Sequence, residues 1–226
     1  MSRPLTRILS LVILLSSCAA PPIPRITSPI TRLIYVADSR PETVAQVKAA
    51  GFDGYIAFDV QQVVTFADSR LYVYFGEPED RPDAYRSWRL AHATELRYVD
   101  YGNVDLAKEL GVFDLDHAVI AHHEYPYKKG NALEQWWQEY LYPFRLREWK
   151  DAVSGSQASV VGTLQAFGGY DWVFPGCAKI EEQEAWWASV MGKQLAAIAY
   201  FYWTSSEIFD GLRDHPECWP ANRRQP

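Results

Sequence analysis

The sequence predicts a single α/β domain built around a parallel β-sheet. Two observations lead to this prediction. Apolar, strand-like runs alternate with helix-like segments along the chain, and these runs are apolar along nearly their whole length, as in a sheet covered on both faces. With 226 residues, of which 48% are hydrophobic, the chain is long enough to bury a large core. We therefore expect one domain over residues 31–226.

Each predicted strand is a short run rich in β-branched and aromatic residues. The strands are predicted at residues 32–38, 54–59, 71–75, 117–124, 159–167 and 197–203, with a weaker candidate at 96–100. The helices are predicted at residues 41–50, 104–110, 132–153 and 181–195. Pro41 suits the first turn of the first helix and Gly51 suits its end.

Aromatic residues on the two longer helices have the spacing of a buried face. In the third helix Trp137, Tyr140, Leu141 and Phe144 recur at i, i+3, i+4 and i+7. In the fourth helix Trp187, Val190, Met191 and Leu195 share a face. We expect core packing for the helical tryptophans Trp136, Trp137, Trp186 and Trp187.

Two architectures suit this alternation of strands and helices. One is a (β/α)8-type barrel, compact and not necessarily complete, and the other is an open, doubly wound parallel sheet. No Gly-x-Gly-x-x-Gly follows the first strand, which disfavours the dinucleotide-binding version of the open sheet. We favour the barrel, although the roughly 195 domain residues lie just below its usual size range.

Charge and motif content exclude several classes of function. The net charge of −6 argues against a nucleic-acid-binding protein, which normally presents a basic face. His122 and Glu124 share one face of a strand, but two ligands do not make a metal site, and the chain has no His-Glu-x-x-His. It also lacks the Gly-x-Ser-x-Gly of serine hydrolases. We predict neither a metal nor a cofactor.

The N-terminus has the pattern of an export signal. Arg3 and Arg7 precede an apolar run at residues 8–15, which is too short to span a bilayer, and Leu-Ser-Ser-Cys ends at Cys18. This box resembles the lipobox of bacterial lipoproteins. The resemblance implies cleavage after residue 17, a lipid on Cys18, and membrane anchoring in the bacterial envelope, facing the periplasm or the cell surface. An ordinary secretory signal is the alternative.

The segment after Cys18 and the remaining cysteines fit an exported protein. Residues 18–30 contain four prolines and suit an extended tether. Cys177 and Cys218 are the other two cysteines, and an even remainder in an exported protein predicts one disulfide. A catalytic thiol is a weaker interpretation, because neither cysteine has a histidine-rich context.

Acidic residues lie at or just beyond the carboxyl ends of several predicted strands. They are Asp38, Asp59, Glu77 and Glu124. In parallel α/β folds the active face lies beyond these strand ends, and burying a charge near the core is costly. Helix capping is an equally good explanation for Asp38 and Asp59. It fits Glu77 and Glu124 less well, because a proline follows each closely.

The C-terminal third resembles the last βα units of TIM-barrel glycoside hydrolases. The resemblance is carried by VVGTLQAFGGYDWVFP at residues 160–175, by EEQEAWWASVMGKQLAAIAYFYW at residues 181–203, and by Glu124 within HHEYPY. It implies that paired carboxylates hydrolyse a glycosidic bond, with Glu124 as acid, Glu77 as base or nucleophile, and Asp59 in reserve. The substrate-binding residues would be Asp38, His122, Tyr125, Gln165, Trp172 and Trp203.

One departure from that family pattern keeps other functions open. Retaining members with two glutamates carry the nucleophile at a late strand, whereas the last strong strand here ends Tyr202-Trp203-Thr204. The alternatives are a barrel that binds a carbohydrate or cell-envelope glycan without turnover, and a structural envelope lipoprotein.

Overall fold

A computed structural model describes most of the domain. It covers residues 29–36, 38, 40–57, 70–73, 93–96, 98–100 and 104–223. The proposed signal segment, Cys18, Asp59 and Glu77 lie outside these described residues.

Strands and helices alternate through much of the described chain. The strands are β1 (Arg32–Tyr35), β2 (Gly54–Ala57), β3 (Arg70–Val73), β4 (Ala93–Glu95), β5 (Tyr98–Asp100), β6 (Val119–His123), β7 (Ser159–Gln165), β8 (Phe167–Gly169), β9 (Leu195–Phe201) and β10 (Phe209–Gly211). The helices are α1 (Pro41–Ala49), α2 (Val104–Glu109), α3 (Ala132–Val153), α4 (Gly176–Met191) and α5 (Pro220–Arg223). Short 3-10 helices occur at Val112–Asp114, Gly192–Gln194, Leu212–Asp214 and Pro216–Cys218.

Eight of the described strands form one sheet, in the order β4-β3-β2-β1-β9-β7-β6-β5. Every neighbouring pair is parallel. The remaining two strands, β8 and β10, form a separate antiparallel pair. The predicted α/β class with a parallel sheet is therefore confirmed, whereas a complete (β/α)8 barrel is not seen in the described residues.

The two faces of the sheet pack differently, and the sheet is curled as a result. One face packs against helices, through residues such as Val47 of α1, Trp149 of α3 and Trp187 of α4. The other face packs strand against strand, and its buried members are Leu33, Tyr35, Ile56, Tyr72, Leu96, Ala121, Val161, Ala197 and Ala199. Strand side chains that fill a concave face are typical of a barrel interior. An open, doubly wound sheet would instead have helices on both faces.

Helix α3 begins at a complete capping box. The Asn131 side chain accepts hydrogen bonds from the N–H groups of Leu133 and Glu134, and the Glu134 carboxylate accepts one from the Asn131 N–H. These bonds satisfy amides that a helix start leaves unpaired. They also start α3 at the edge of the sheet where β6 ends.

The predicted buried face of α3 is wrong. Its buried residues are Tyr142, Pro143, Leu146, Trp149 and Val153. By contrast, Trp136, Trp137 and Phe144 are 43%, 49% and 39% exposed. Both sets have helical spacing, so periodicity alone could not choose between them.

Helix α4 carries its tryptophans into the core, as predicted. Trp186 and Trp187 are 6% and 0% exposed. Gly162 of β7 makes room for Trp187, because a Cβ atom at Gly162 would lie 2.3 Å from its ring. The close packing of α4 on the sheet therefore depends on this glycine.

Two links attach the C-terminal tail to α4. A disulfide joins Cys177 to Cys218, whose Cα atoms are 4.8 Å apart. The buried carboxylate of Glu184 pairs with Arg32 of β1 and with Arg223 of α5, at 3.1 Å in each case. No helix among the described residues is long and apolar enough to cross a membrane.

Candidate functional site

A cavity of about 560 Å³ opens beyond the carboxyl ends of β6, β7 and β9. Its lining residues are His123, Glu124, Tyr125, Lys128, Gln138, Arg145, Phe167, Trp172, Phe201 and Phe209. Carboxyl ends of parallel strands meet at one edge of a sheet, and ligands of α/β proteins commonly bind there. The cavity is of a size that accommodates a small ligand.

Glu124 is the carboxylate in the lining of this cavity. It directly follows β6 and is only 7% exposed. Its backbone N–H donates to the Thr163 carbonyl at 3.2 Å, which continues the pairing of β6 with β7. A carboxylate held this deep requires charged or hydrogen-bonding neighbours.

Arg145 of α3 supplies that neighbour. Its Nε atom lies 2.9 Å from Oε1 of Glu124. Its Nη1 and Nη2 atoms both donate to the Gln138 side-chain oxygen at 3.0 Å. Gln138 thus orients the guanidinium that pairs with the Glu124 carboxylate.

His122 lies behind Glu124, in the layer between the sheet and the helices. Its ring stacks on Trp149 at 4.1 Å between ring centres, and its Nε2 lies 3.6 Å from Oε2 of Glu124. His122 is 0% exposed, so it cannot touch a ligand in the cavity. Its place beside Glu124 is nevertheless as the strand alternation predicts.

Tyr142 of α3 also lies near the carboxylate and is 3% exposed. Burial raises the pKa of Tyr142 well above its usual value, and the negative charge of Glu124 adds to this effect. The phenol therefore stays neutral at any physiological pH and does not compete with Glu124 as an anion.

Aromatic rings form the walls of the cavity. The ring of Tyr125 contacts those of Phe167, Trp172 and Phe201 at 5.2, 5.6 and 5.7 Å. Phe209 of β10 closes one side, 5.7 Å from Phe167. Tyr125 and Trp172 are both partly exposed, so their rings are accessible from the cavity. Two of the predicted aromatic contacts thus lie in the cavity wall.

Gln165 and Trp203 are buried away from the cavity, contrary to the roles predicted for them. The Gln165 amide is 0% exposed, accepts from the Tyr127 N–H at 2.9 Å and donates to the Val173 carbonyl at 2.8 Å. It thereby holds the loop that frames the cavity. Trp203 is also 0% exposed and packs against Trp219, so neither side chain can touch a ligand.

Asp38 has partners at the start of α1 and is not in the cavity lining. Its carboxylate accepts hydrogen bonds from the backbone and guanidinium of Arg40. Burial acts to raise the pKa of Asp38, but hydrogen bonds from Arg40 and Thr43 outweigh burial and leave the pKa below its ordinary value. Asp38 therefore pairs with Arg40, which is the N-cap residue of α1, and it does not itself cap the helix.

Sequence reasoning missed several residues of the cavity. They are His123, Lys128, Gln138, Arg145, Phe167, Phe201 and Phe209. The one available signal was the spacing of Gln138 and Arg145, which are seven residues apart and so lie on one side of a helix. Nothing in the sequence related that side of α3 to Glu124.

The described residues offer one cluster of metal-ligand type, formed by Cys177, Glu217 and Cys218. Both cysteines are joined in the disulfide, so their thiolates are not available as ligands. This cluster lies outside the cavity and carries no role in the site.

No protein-family model matches the chain, and searches of the curated proteins and of the solved structures find no match either. The geometry of the cavity therefore carries the functional conclusion.

Proposed function

We propose that this protein binds a carbohydrate in the cavity beyond β6, β7 and β9 and hydrolyses a glycosidic bond there with the help of Glu124. The observation that carries the proposal is a nearly buried carboxyl group at a strand end, paired with an arginine and facing a cavity walled by aromatic rings. Such a combination suits a ligand with apolar ring faces and a reacting polar bond.

Glycoside hydrolysis uses one carboxylic acid that protonates the leaving oxygen and one carboxylate that attacks the sugar or activates water. In the proposal Glu124 is the acid of this pair, and Glu77 is the base or nucleophile, with Asp59 in reserve. Arg145, whose Nε lies 2.9 Å from Oε1 of Glu124, keeps the carboxyl group of Glu124 in position.

Closure of the sheet into a barrel is part of this proposal. The two edge strands, β4 and β5, are separated along the chain only by Leu96 and Arg97. β4 pairs with β3 and β5 pairs with β6, both in parallel. One extended segment that changes partners midway would close the ring, so that the carboxyl ends of β2 and β3, which lie at the same edge of the sheet as Glu124, would surround one opening together with it.

Two observations favour a second function, carbohydrate binding without turnover. Arg145 pairs with Glu124 and is itself held by Gln138, which also suits a purely structural ion pair. The last strand of the sheet, moreover, is followed by Tyr202-Trp203-Thr204 and not by an acid.

Membrane attachment through a lipid on Cys18 completes the proposal. Its support is the order of charge, apolar run and Leu-Ser-Ser-Cys in residues 1–18. It places the carbohydrate among the glycans of the bacterial envelope or those outside the cell. Mass spectrometry of the N-terminal peptide from cells tests it directly.

The experiment for catalysis compares two substitutions of glutamate. Wild type, Glu124→Gln and Glu148→Gln are incubated with envelope and plant polysaccharides, and released reducing ends are measured. Glu148 is an exposed glutamate on α3 and serves as the matched control. Release should fall by about 10²-fold or more in Glu124→Gln alone. Equal release from all three proteins contradicts a catalytic Glu124, and glycan binding without release favours the second function.

A further inference from the structure

Helix α3 presents an aromatic surface on the side opposite the core. We call it the α3 aromatic face, and it consists of Leu133, Trp136, Trp137, Tyr140 and Phe144. Ten large apolar side chains are classed as exposed in the described part of the chain, and four of them belong to this face. A contiguous patch of this kind marks an interaction site, whereas scattered exposed residues need no explanation.

Ring contacts make the face continuous. Tyr140 stacks with Trp136 at 5.3 Å and with Trp137 at 5.9 Å, and it contacts Phe144 at 5.5 Å. Because these rings stack on one another, their faces are partly covered. A sugar stacks on an aromatic ring only where the face of the ring is open, so this arrangement is less suited to binding a glycan. It is better suited to a surface that contacts the ring edges and the indole N–H groups.

We infer that the α3 aromatic face lies on a lipid bilayer surface. This inference rests on the proposed membrane attachment at Cys18. Trp and Tyr prefer the membrane–water interface, where an apolar body and a polar tip are both accommodated. The adjacent Arg147 and Glu148 have opposite charges. Glu134 belongs to the capping box of α3, and Glu139 pairs with Lys179 at 2.6 Å, so these two acidic groups next to the face are partnered within the protein.

The chain outside the described residues allows this contact. Cys18 lies eleven residues before Pro29, the first described residue. An extended tether of that length reaches roughly 36 Å. Helix α3, with 22 residues, is about 33 Å long, so the tether is long enough to extend over the length of this helix. A lipid at Cys18 would hold the domain close enough to a bilayer for a weakly inserting face to remain in contact.

The test separates the face from the lipid anchor. Residues 18–226 carrying Cys18→Ser, which lack the apolar export segment and cannot be lipidated, are sedimented with vesicles of phosphatidylethanolamine and phosphatidylglycerol. They are compared with the same protein carrying Trp136→Ala and Trp137→Ala. A matched control carries Leu110→Ala and Leu115→Ala, which remove two exposed apolar side chains elsewhere on the surface. Circular dichroism checks that all three proteins are folded.

We expect the tryptophan variant to bind vesicles roughly tenfold more weakly, and the leucine variant to bind like its parent. Equal binding by all three proteins, or no vesicle binding by the parent, overturns the inference. A dimer that dissociates in the tryptophan variant, or a loss of polysaccharide binding without a change in vesicle binding, also overturns it.

The anchor is read out independently, by vesicle association of the lipidated wild type and by the mass of its N-terminal peptide. An unlipidated Cys18 therefore contradicts the proposed lipid anchor. A vesicle affinity that is unchanged in the tryptophan variant contradicts the inference that the α3 aromatic face binds the bilayer.

Discussion

The Nε atom of Arg145 lies 2.9 Å from a carboxylate oxygen of Glu124, although the two residues are 21 positions apart in the chain and belong to different elements. The pair connects the end of β6 to the middle of α3. It holds a nearly buried carboxyl group at the opening of the cavity, and Gln138 fixes the orientation of the guanidinium.

Removing the positive member of this pair should destabilise the protein. We expect Arg145→Met to lower the free energy of unfolding by about 1–3 kcal/mol, because the nearly buried carboxyl group of Glu124 loses its partner in a poorly hydrated place. Denaturant unfolding provides the measurement. Arg147→Met, on the same helix, is the control and should cost less than about 0.5 kcal/mol.

A double-mutant cycle isolates the interaction itself. Arg145→Met should cost much less in a Glu124→Gln background, with a coupling energy of about 1 kcal/mol or more. Additive effects would show that the two groups do not interact in solution.

The buried carboxylate of Glu184 should be more important for stability than its exposed neighbour Glu181. Glu184 pairs with both Arg32 and Arg223, and its side chain is only 3% exposed. Glu184→Gln leaves two guanidinium groups without their counter-charge, and we expect a loss of about 3 kcal/mol. Glu181 lies 3.9 Å from Arg223 and is 55% exposed, so Glu181→Gln should change little. Equal effects of the two substitutions in chemical unfolding would contradict this assignment.

The disulfide should contribute strongly to stability because it closes a long loop. Cys177 and Cys218 are 41 residues apart, and loop-closure entropy predicts about 4 kcal/mol for that length. Reduction, or the double change Cys177→Ser and Cys218→Ser, should lower the melting temperature by about 10 °C. The reducing agent should have no effect on the double variant. An unchanged melting temperature after reduction of the wild type would contradict the prediction.

The pairing of Asp38 should stabilise the fold only above acidic pH. Its pKa in the folded protein lies below the ordinary value of 3.8, because hydrogen bonds from Arg40 and Thr43 outweigh burial. A depressed pKa gives stability that is fully present above the unfolded pKa and is lost as the pH falls through the folded one. Asp38→Asn should therefore cost at most about 1 kcal/mol near neutral pH, and this cost should shrink as the pH falls through the lowered pKa of Asp38 in the folded protein. A difference that stays constant over this range would contradict the assignment.

Strand positions were largely predictable from local sequence. Several strands are apolar along their whole length, which indicates a sheet that is covered on both faces. Examples of such buried residues are Leu33 and Ile34 in β1 and Val160 and Val161 in β7. Because side chains alternate between the two faces of a strand, the sequence likewise predicted that His122 lies on the same side as Glu124 and His123 on the other. These features depend on residues that are close together in the sequence, so the local sequence pattern is sufficient to predict them.

The burial of aromatic residues was not predictable in the same way. Trp149 and Trp137 lie on one helix at equally helical spacings, yet Trp149 is 1% exposed and Trp137 is 49% exposed. Only the docking of α3 on β6 and β7 decides between two such stripes. Gln165 and Trp203 stand at strand ends in the sequence, but the loops packed over them remove both from the cavity.

Sequence alone determined the α/β class, most strand positions and Glu124 as the acid to examine, because these follow from local periodicity and from the direction of parallel strands. Tertiary structure alone decided which helix faces are buried, which aromatic rings wall the cavity, and that Arg145 is the partner of Glu124. Such contacts join residues distant in the chain, and their energies depend on packing and burial that no local pattern encodes.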